Sequence, residues 1–311
     1  MKRLITTAIL IILFLGIFSR ISDILEYKSL AEPWNMTLKV GGFYNEPEDS
    51  MDILFFGSSH MYCSIDPNLL EEQTGLTSYI FATQKQPLWI TYHYMIEALK
   101  TQKPKKIFLE VNMATEKEDY MDEGTNYSAI DPIQFSINKW NMIQSAALPE
   151  EQHQYLFNII KYHDRWQELT PQDYDLSYKK EQDPLRGYVK LVTAEESAEF
   201  WDLSQVTEIQ IPTAKNIEYL NKMIDLSKEE SFELIMFKSP SSATEEEKKI
   251  YNYVADLCQQ NNIKFVDFNM HYDEIGLNPN IDYYDKRHLN IEGMKKFLPY
   301  FISTFLEEVP I

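Results

Sequence analysis

The sequence predicts a three-layer α/β/α fold, an open parallel sheet with helices on both faces, interrupted by a long insertion. Three observations predict it. Short apolar runs alternate with helix-length segments between residues 52 and 111; the alternation stops between about 115 and 228; it resumes at residue 232. Strands alternating with helices imply crossover connections, and these place helices on both sides of a parallel sheet.

The N-terminal element stands apart. Lys2 and Arg3 precede an uncharged run from Leu4 to Ser19, which Arg20 closes. Sixteen helical residues span about 24 Å at ~1.5 Å each. That is somewhat short of a ~30 Å hydrocarbon core. Such a run is a signal-peptide core or a short membrane anchor. Ile17-Phe18-Ser19 offers only one of the two small residues that cleavage requires, so residues 1–20 are read as a retained anchor. The basic flank places that end in the cytoplasm and makes the chain a single-pass protein of the cell membrane, with its domain extracytoplasmic. Residues 21–50, with mixed charge, Pro33 and the pair Gly41-Gly42, read as a linker. The remainder, 51–311, is the domain.

Within the domain, Ile53-Leu54-Phe55-Phe56 is an apolar run stopped by Gly57, as in a buried parallel strand. Pro67 to Thr74 reads as a helix with Pro in its first turn and Gly75 after its end. Thr77–Phe81 and Lys106–Val111 are further strands, separated by an aromatic-rich helix from Leu88 to Leu99. The stretch 115–228 carries clustered charge, Tyr and five prolines, and reads as a mostly helical insertion. Then come a strand at Phe232–Phe237, a helix at Ala243–Gln260, a strand at Ile263–Phe268 and a closing helix at Ile291–Leu306, with Asn290 placed to cap it.

Composition narrows the function. The formal charge of −19 repels a phosphate backbone over most of the surface, which excludes nucleic acid as a partner. Cys63 and Cys258 lack metal-ligand spacing and read as buried free thiols rather than a disulfide. His93, His153 and His271 show no metal spacing either, and no metal or organic cofactor is expected.

In open parallel sheets ligands gather beyond the carboxyl ends of the strands, and reactive residues fall there. Gly57-Ser58-Ser59-His60 directly follows the first strand. A serine on such a turn is exposed, and the next backbone N–H groups can face a developing oxyanion; an ordinary helix cap is the alternative. Asp285 stands three residues before His288, a spacing that lets the carboxylate hold the imidazole through Nδ1–H and leaves Nε2 free as a base. His60, beside the serine, has no such acid partner. In the insertion, His163 and Arg165 read either as a lid that touches an anionic or sugar substrate or as a solvated helix face. Lys238, at the end of the fourth strand, reads as a substrate contact or a simple loop exit.

With these residues the chain resembles the SGNH (GDSL-like) hydrolase superfamily, whose first block is G-D-S and whose last is D-x-x-H. It is most similar to the extracytoplasmic, membrane-anchored subset that includes the D-alanyl-lipoteichoic-acid biosynthesis esterase and the alginate O-acetylation proteins. Phe56-Gly57-Ser58-Ser59-His60 is similar to the G-S-S variants of that subset, with Ser58 where the common family has Asp. The resemblance covers about residues 50–114 and 230–311 and implies a flavodoxin-like α/β/α sheet. It implies Ser59 as nucleophile, His288 as base and Asp285 as its orienting acid. It assigns the oxyanion hole to the backbone N–H groups of Ser59 and Lys85 and to the side chain of Asn112, although Phe81–Pro87 lacks the family's second-block Gly. The implied activity is that of an esterase or O-acyltransferase on acyl esters of a cell-surface polysaccharide or teichoic-acid-like polymer, with a multi-spanning membrane acyltransferase as a partner. A catalytically weak binding or scaffold subunit of a polysaccharide-export assembly is the alternative.

Overall fold

A computed structural model describes residues 2–306; the last five residues of the expected domain lie outside the described residues. The chain runs α1 (Lys2–Leu25), α2 (Met36–Gly41), β1 (Ile53–Phe56), α3 (Ser59–Tyr62), α4 (Pro67–Thr74), β2 (Ser78–Ile80), α5 (Leu88–Ala98) and β3 (Lys106–Glu110). Short helices follow: α6 (Glu123–Ile130), α7 (Ile137–Ala146), α8 (Gln152–Leu156), α9 (Asn158–Tyr162) and α10 (Pro171–Tyr174). The alternation returns with α11 (Ala214–Glu229), β4 (Glu233–Lys238), α12 (Glu245–Gln260), β5 (Lys264–Asp267), α13 (Tyr272–Ile275) and α14 (Ile291–Phe305).

The strands form one parallel sheet in the order β2-β1-β3-β4-β5. This is the flavodoxin-like order, whose switch point lies between β1 and β3. Alternate strand residues face opposite layers, as the pleat requires. Leu54, Ile107 and Met236 join the core under α5, α11 and α12; Phe55, Phe108 and Phe237 join the core under α4 and α14. The Phe301 ring of α14 lies 5.0 Å from Phe108, 5.4 Å from Phe237 and 5.9 Å from Phe55. That aromatic cluster fixes α14, and with it the turn just before α14, against the sheet. Cys63 and Cys258 are buried free thiols in different cores, one on each side of the sheet, so no bridge joins them.

Two expected boundaries move. Residues 21–50 are not a loose linker: α1 continues to Leu25, and Val40 and Phe43 are fully buried in the main core. The Phe43 ring stacks 4.3 Å from Phe81. Pro33 and the glycines suggested looseness, but the apolar side chains at Met36, Val40 and Phe43 recur at helical spacing and are buried. The insertion also ends earlier than residue 228. Helix α11 belongs to the framework, as the crossover before β4, and buries Tyr219, Leu220, Met223 and Ile224. Its charged outer face masked that stripe in the sequence.

The true insertion straps the sheet edge on its way back. The Ile80 N–H of edge strand β2 donates to Arg186 O at 2.9 Å. Gly187 has φ +87°, and a Cβ there would lie 1.9 Å from Ile80 O, so no other residue fits this close approach. Covering the edge in this way removes a site of unwanted strand pairing.

Candidate active site

Ser59, Asp285 and His288 come together at the carboxyl edge of the sheet, beside the switch point. β1 ends at Phe56, and Gly57 turns the chain with φ +151°. A Cβ at Gly57 would stand 3.0 Å from Glu110 Cβ and 3.1 Å from both Glu110 O and Met61 Cβ. Glycine therefore lets β1 turn directly into α3, which begins at Ser59. Ser58 is buried and its Oγ has no partner among the described residues. Ser59 Oγ instead faces the opposite end of the chain.

There, the Asp285–His288 turn is closed by Tyr284 N–H donating to His288 O at 2.8 Å. Asn290 then caps α14, its Oδ1 accepting from the N–H groups of Glu292 at 3.0 Å and Gly293 at 3.1 Å. This brings three residues into one relay. Ser59 Oγ donates to His288 Nε2 at 2.8 Å. His288 Nδ1 donates to the Asp285 carboxylate, 2.9 Å from each oxygen. Asp285 Oδ1 also accepts the backbone N–H groups of Arg287 at 2.7 Å and His288 at 2.9 Å. Burial by itself raises the Asp285 carboxyl, but the His288 bond and charge and the backbone donors outweigh it and hold the group below the usual carboxylate range. Asp285 is thus an ionised anchor that fixes the imidazole's tautomer and plane.

The residues expected around the oxyanion lie on loops at the same edge. Asn112 follows β3; its Oδ1 accepts from Tyr251 O–H at 3.2 Å, and its backbone N–H donates to Glu110 Oε2 at 3.1 Å. Lys85 adopts φ +49°, the left-handed backbone that a glycine would favour. Its loop is held by Thr83 Oγ1 donating to Gln86 Oε1 at 3.0 Å and Gln86 Nε2 donating to Thr91 Oγ1 at 3.1 Å. The Thr83 and Gln86 side chains thus support at Lys85 the conformation that the missing Gly would supply.

Of the three candidate substrate contacts, Lys238 and Arg165 are engaged within the protein and His163 is exposed. Lys238 is fully buried. Its Nζ pairs with Glu110 at 3.3 Å and donates to His60 Nδ1 at 3.2 Å, Ser239 O at 2.7 Å and Ser241 Oγ at 3.1 Å. Arg165 closes the end of α1: its guanidinium donates to Leu25 O and Glu26 O, both at 2.6 Å, and pairs with Asp173 at 2.9 Å. A cation suits a helix C-terminus, where carbonyls lack partners. His163 is exposed on the same turn, its Nδ1 2.9 Å from Ile160 O.

Two residues of this layer were missed or set aside. Glu110 was passed over, although a carboxylate inside an apolar strand next to a strand ending in Lys is a readable sign of a buried ion pair. His60 does not join the relay, and its ring centroid lies 5.2 Å from that of His288. Burial, and then the Lys238 charge, push His60 well below the ordinary histidine value, so it is neutral. Accepting from Lys238 at Nδ1 places its proton on Nε2. A cavity of about 380 Å³ lies near this region; Tyr62 of α3, Gln84 beside Lys85 and Trp34 line it together with Glu26, Tyr127 and Asp131, and none of Ser59, Asp285 and His288 does. The Trp34 ring lies 6.4 Å from Tyr284, next to Asp285.

A parallel α/β sheet with an aligned Ser–His–Asp relay at its carboxyl edge has the layout of a serine hydrolase. No protein-family model matches the chain, and no curated protein matches it in sequence. Among solved structures it is similar to an acetyl xylan esterase, at 12% identity and a TM-score of 0.39, over 82% of this chain and 99% of that one. It is similar to a protein of Parabacteroides merdae assigned as a GDSL-like lipase, at 12% identity and a TM-score of 0.38, over 83% and 96%. A gut microbial diltiazem-metabolizing enzyme matches at 13% identity and a TM-score of 0.29, over 83% of this chain and 47% of that one. None of these likenesses is close enough to transfer a residue's role.

Proposed function

We propose that the chain is a membrane-tethered serine esterase or O-acyltransferase of the SGNH type, acting outside the cell membrane on acyl esters of a cell-surface polysaccharide or teichoic-acid-like polymer. The observation that carries this reading is the unbroken relay from Ser59 Oγ through His288 to Asp285. Ser59 Oγ attacks the ester carbonyl as its proton passes to His288 Nε2, and Asp285 steadies the imidazolium that forms. The backbone N–H groups of Ser59 and Lys85 and the Asn112 amide receive the oxyanion. Collapse of the tetrahedral intermediate expels the alcohol, which takes the proton from His288 and leaves an acyl ester on Ser59. Water or an acceptor hydroxyl, deprotonated by His288, then releases the acyl group.

The cavity of about 380 Å³ is in the size range of a small-molecule site, and Tyr62, on the same short helix as Ser59, links its wall to the relay. Helix α1 is long and apolar enough to cross a membrane, a property that signal sequences share. As an anchor it holds the site near the outer leaflet, where an acyl group handed across by a multi-spanning acyltransferase would emerge. The test is turnover of p-nitrophenyl acetate by the purified chain: Ser59→Ala removes nearly all of it and keeps the fold. Wild-type turnover in Ser59→Ala contradicts the proposal. Supplying a donor ester and candidate polymers then separates transfer from hydrolysis.

A further inference from the structure

Helix α1 leaves the domain through a collar of apolar side chains. The Phe18 ring of α1 meets Phe157 edge-on at 5.3 Å, and Arg20 donates to Tyr174 O at 3.1 Å. Helices α9 and α10 and the turn carrying Trp166 pack against α1, and Arg165 and Lys179 tie its last turn down, the latter through Asp23 at 2.6 Å. The helix is therefore fixed to the domain at a set height. Yet Phe157, Ile160 and Tyr174 are exposed beside it, as are Phe135 at 69% and Trp166 at 66%. A cavity of about 550 Å³ opens between this collar and α1, with Leu15 and Phe18 on one wall and Phe135 and Phe157 on the other.

Length decides what covers these side chains. The uncharged run Leu4–Ser19 reaches about 24 Å, several ångströms less than a ~30 Å hydrocarbon core. A bilayer meets a short span by thinning or by letting flanking charges snorkel, and either one puts the end of the uncharged run, where Phe18 meets Phe157, at the bilayer surface. Aromatic residues are the side chains that settle at that level, with the ring among acyl chains and the polar edge in the headgroups. A second copy of the chain would need no such match between helix length and collar height.

We propose that Phe135, Phe157, Ile160, Trp166 and Tyr174 form a collar seated in the interfacial zone of the bilayer that α1 crosses, so that the domain lies on the membrane rather than swinging above it. This rests on reading α1 as a retained span. Full-length protein carrying Trp166→Cys or Phe135→Cys, labelled with a polarity-sensitive fluorophore, is reconstituted into phosphatidylcholine–phosphatidylglycerol vesicles. Lys295→Cys on α14, which covers the other face of the sheet, is the comparison, and the unsubstituted chain with its buried thiols is the labelling blank. The collar labels are expected to shift to the blue and to be quenched by lipids spin-labelled near the headgroup, while the α14 label stays aqueous. Retention of the protein through an alkaline carbonate wash with aqueous collar labels at both positions overturns the collar and leaves the anchor standing. Release by the wash overturns the anchor and the collar with it. Collar labels shielded only when a membrane-protein extract is added overturn the lipid assignment in favour of a protein partner.

Discussion

Asp285 gathers three hydrogen-bond donors on one carboxylate, and it is the single side chain on which the direction of His288 depends. Asp285→Asn presents a donor where an acceptor is needed and favours the wrong imidazole tautomer. Esterase turnover is expected to fall by about 10³–10⁴-fold with little change in KM. Because its native pKa is depressed, the carboxylate's contribution to stability is present at neutral pH and is lost as pH falls below the usual carboxylate range. Lys238 makes the opposite kind of contribution. It donates to His60, the neighbour of Ser59, and is shut off from solvent. Lys238→Met strands the Glu110 charge in the core and is expected to cost about 3–5 kcal/mol in urea unfolding, whereas adding Glu110→Gln recovers most of the loss. A rise in KM without loss of stability would instead mark Lys238 as a substrate contact. At this scale Ser59, His288 and Asp285, which one relay joins, were legible as candidates because each lies in a short local pattern. Of the Lys238–Glu110–His60 cluster only the ion pair left a sign, since His60 joins it from a distant segment once the sheet forms.

Strands and framework helices were legible almost to the residue wherever apolar runs and caps coincide. The helix read at Pro67–Thr74 is α4 unchanged, with Asp66 accepting from the Asn68 and Leu69 N–H groups and Gly75 at φ +75°. Thr244 and Glu247 form a reciprocal cap on α12, which starts it two residues after the expected Ala243. Elements that depend on tertiary partners were misjudged: α2 looked like linker and α11 like insertion. The junction after α1 shows why such segments are strict. Glu26 is buried against the insertion, accepting from Asn158 Nδ2 at 3.0 Å. Burial, and then the charge of Asp131, push its carboxyl up to about 7. The folded state thus holds a proton that the unfolded chain releases near the usual value, and this contribution to stability is present at low pH and is lost as pH rises toward 7. Glu26→Gln should keep the Asn158 contact, raise stability at pH 8 by on the order of 1–3 kcal/mol and flatten the pH dependence between about 4.5 and 7. Thermal unfolding of both proteins across that range checks it; parallel curves would show that Glu26 is not held protonated.

Across the whole molecule, one sheet collects residues from positions 59 and 285–288, more than two hundred residues apart, and a strapped edge and an aromatic core hold them in register. The insertion reaches both sides of that sheet, with Ala129, Ile130, Met142 and Ile143 in the core under α5 and Tyr188, Val189 and Leu191 in the core under α14. The overall architecture was legible because alternating strands and helices leave few topologies open. How the N-terminal helix meets the domain was not, because its partners are single side chains such as Arg165 and Phe157 scattered through a segment without periodicity. The central claim is that Ser59 is an activated nucleophile. It is tested most directly by treating the full-length chain with a fluorophosphonate and mapping the adduct by mass spectrometry. The account predicts one stoichiometric adduct on Ser59, lost in Ser59→Ala and greatly slowed in His288→Ala; a folded chain that takes up no probe, or takes it up at Ser58 or elsewhere, would contradict it.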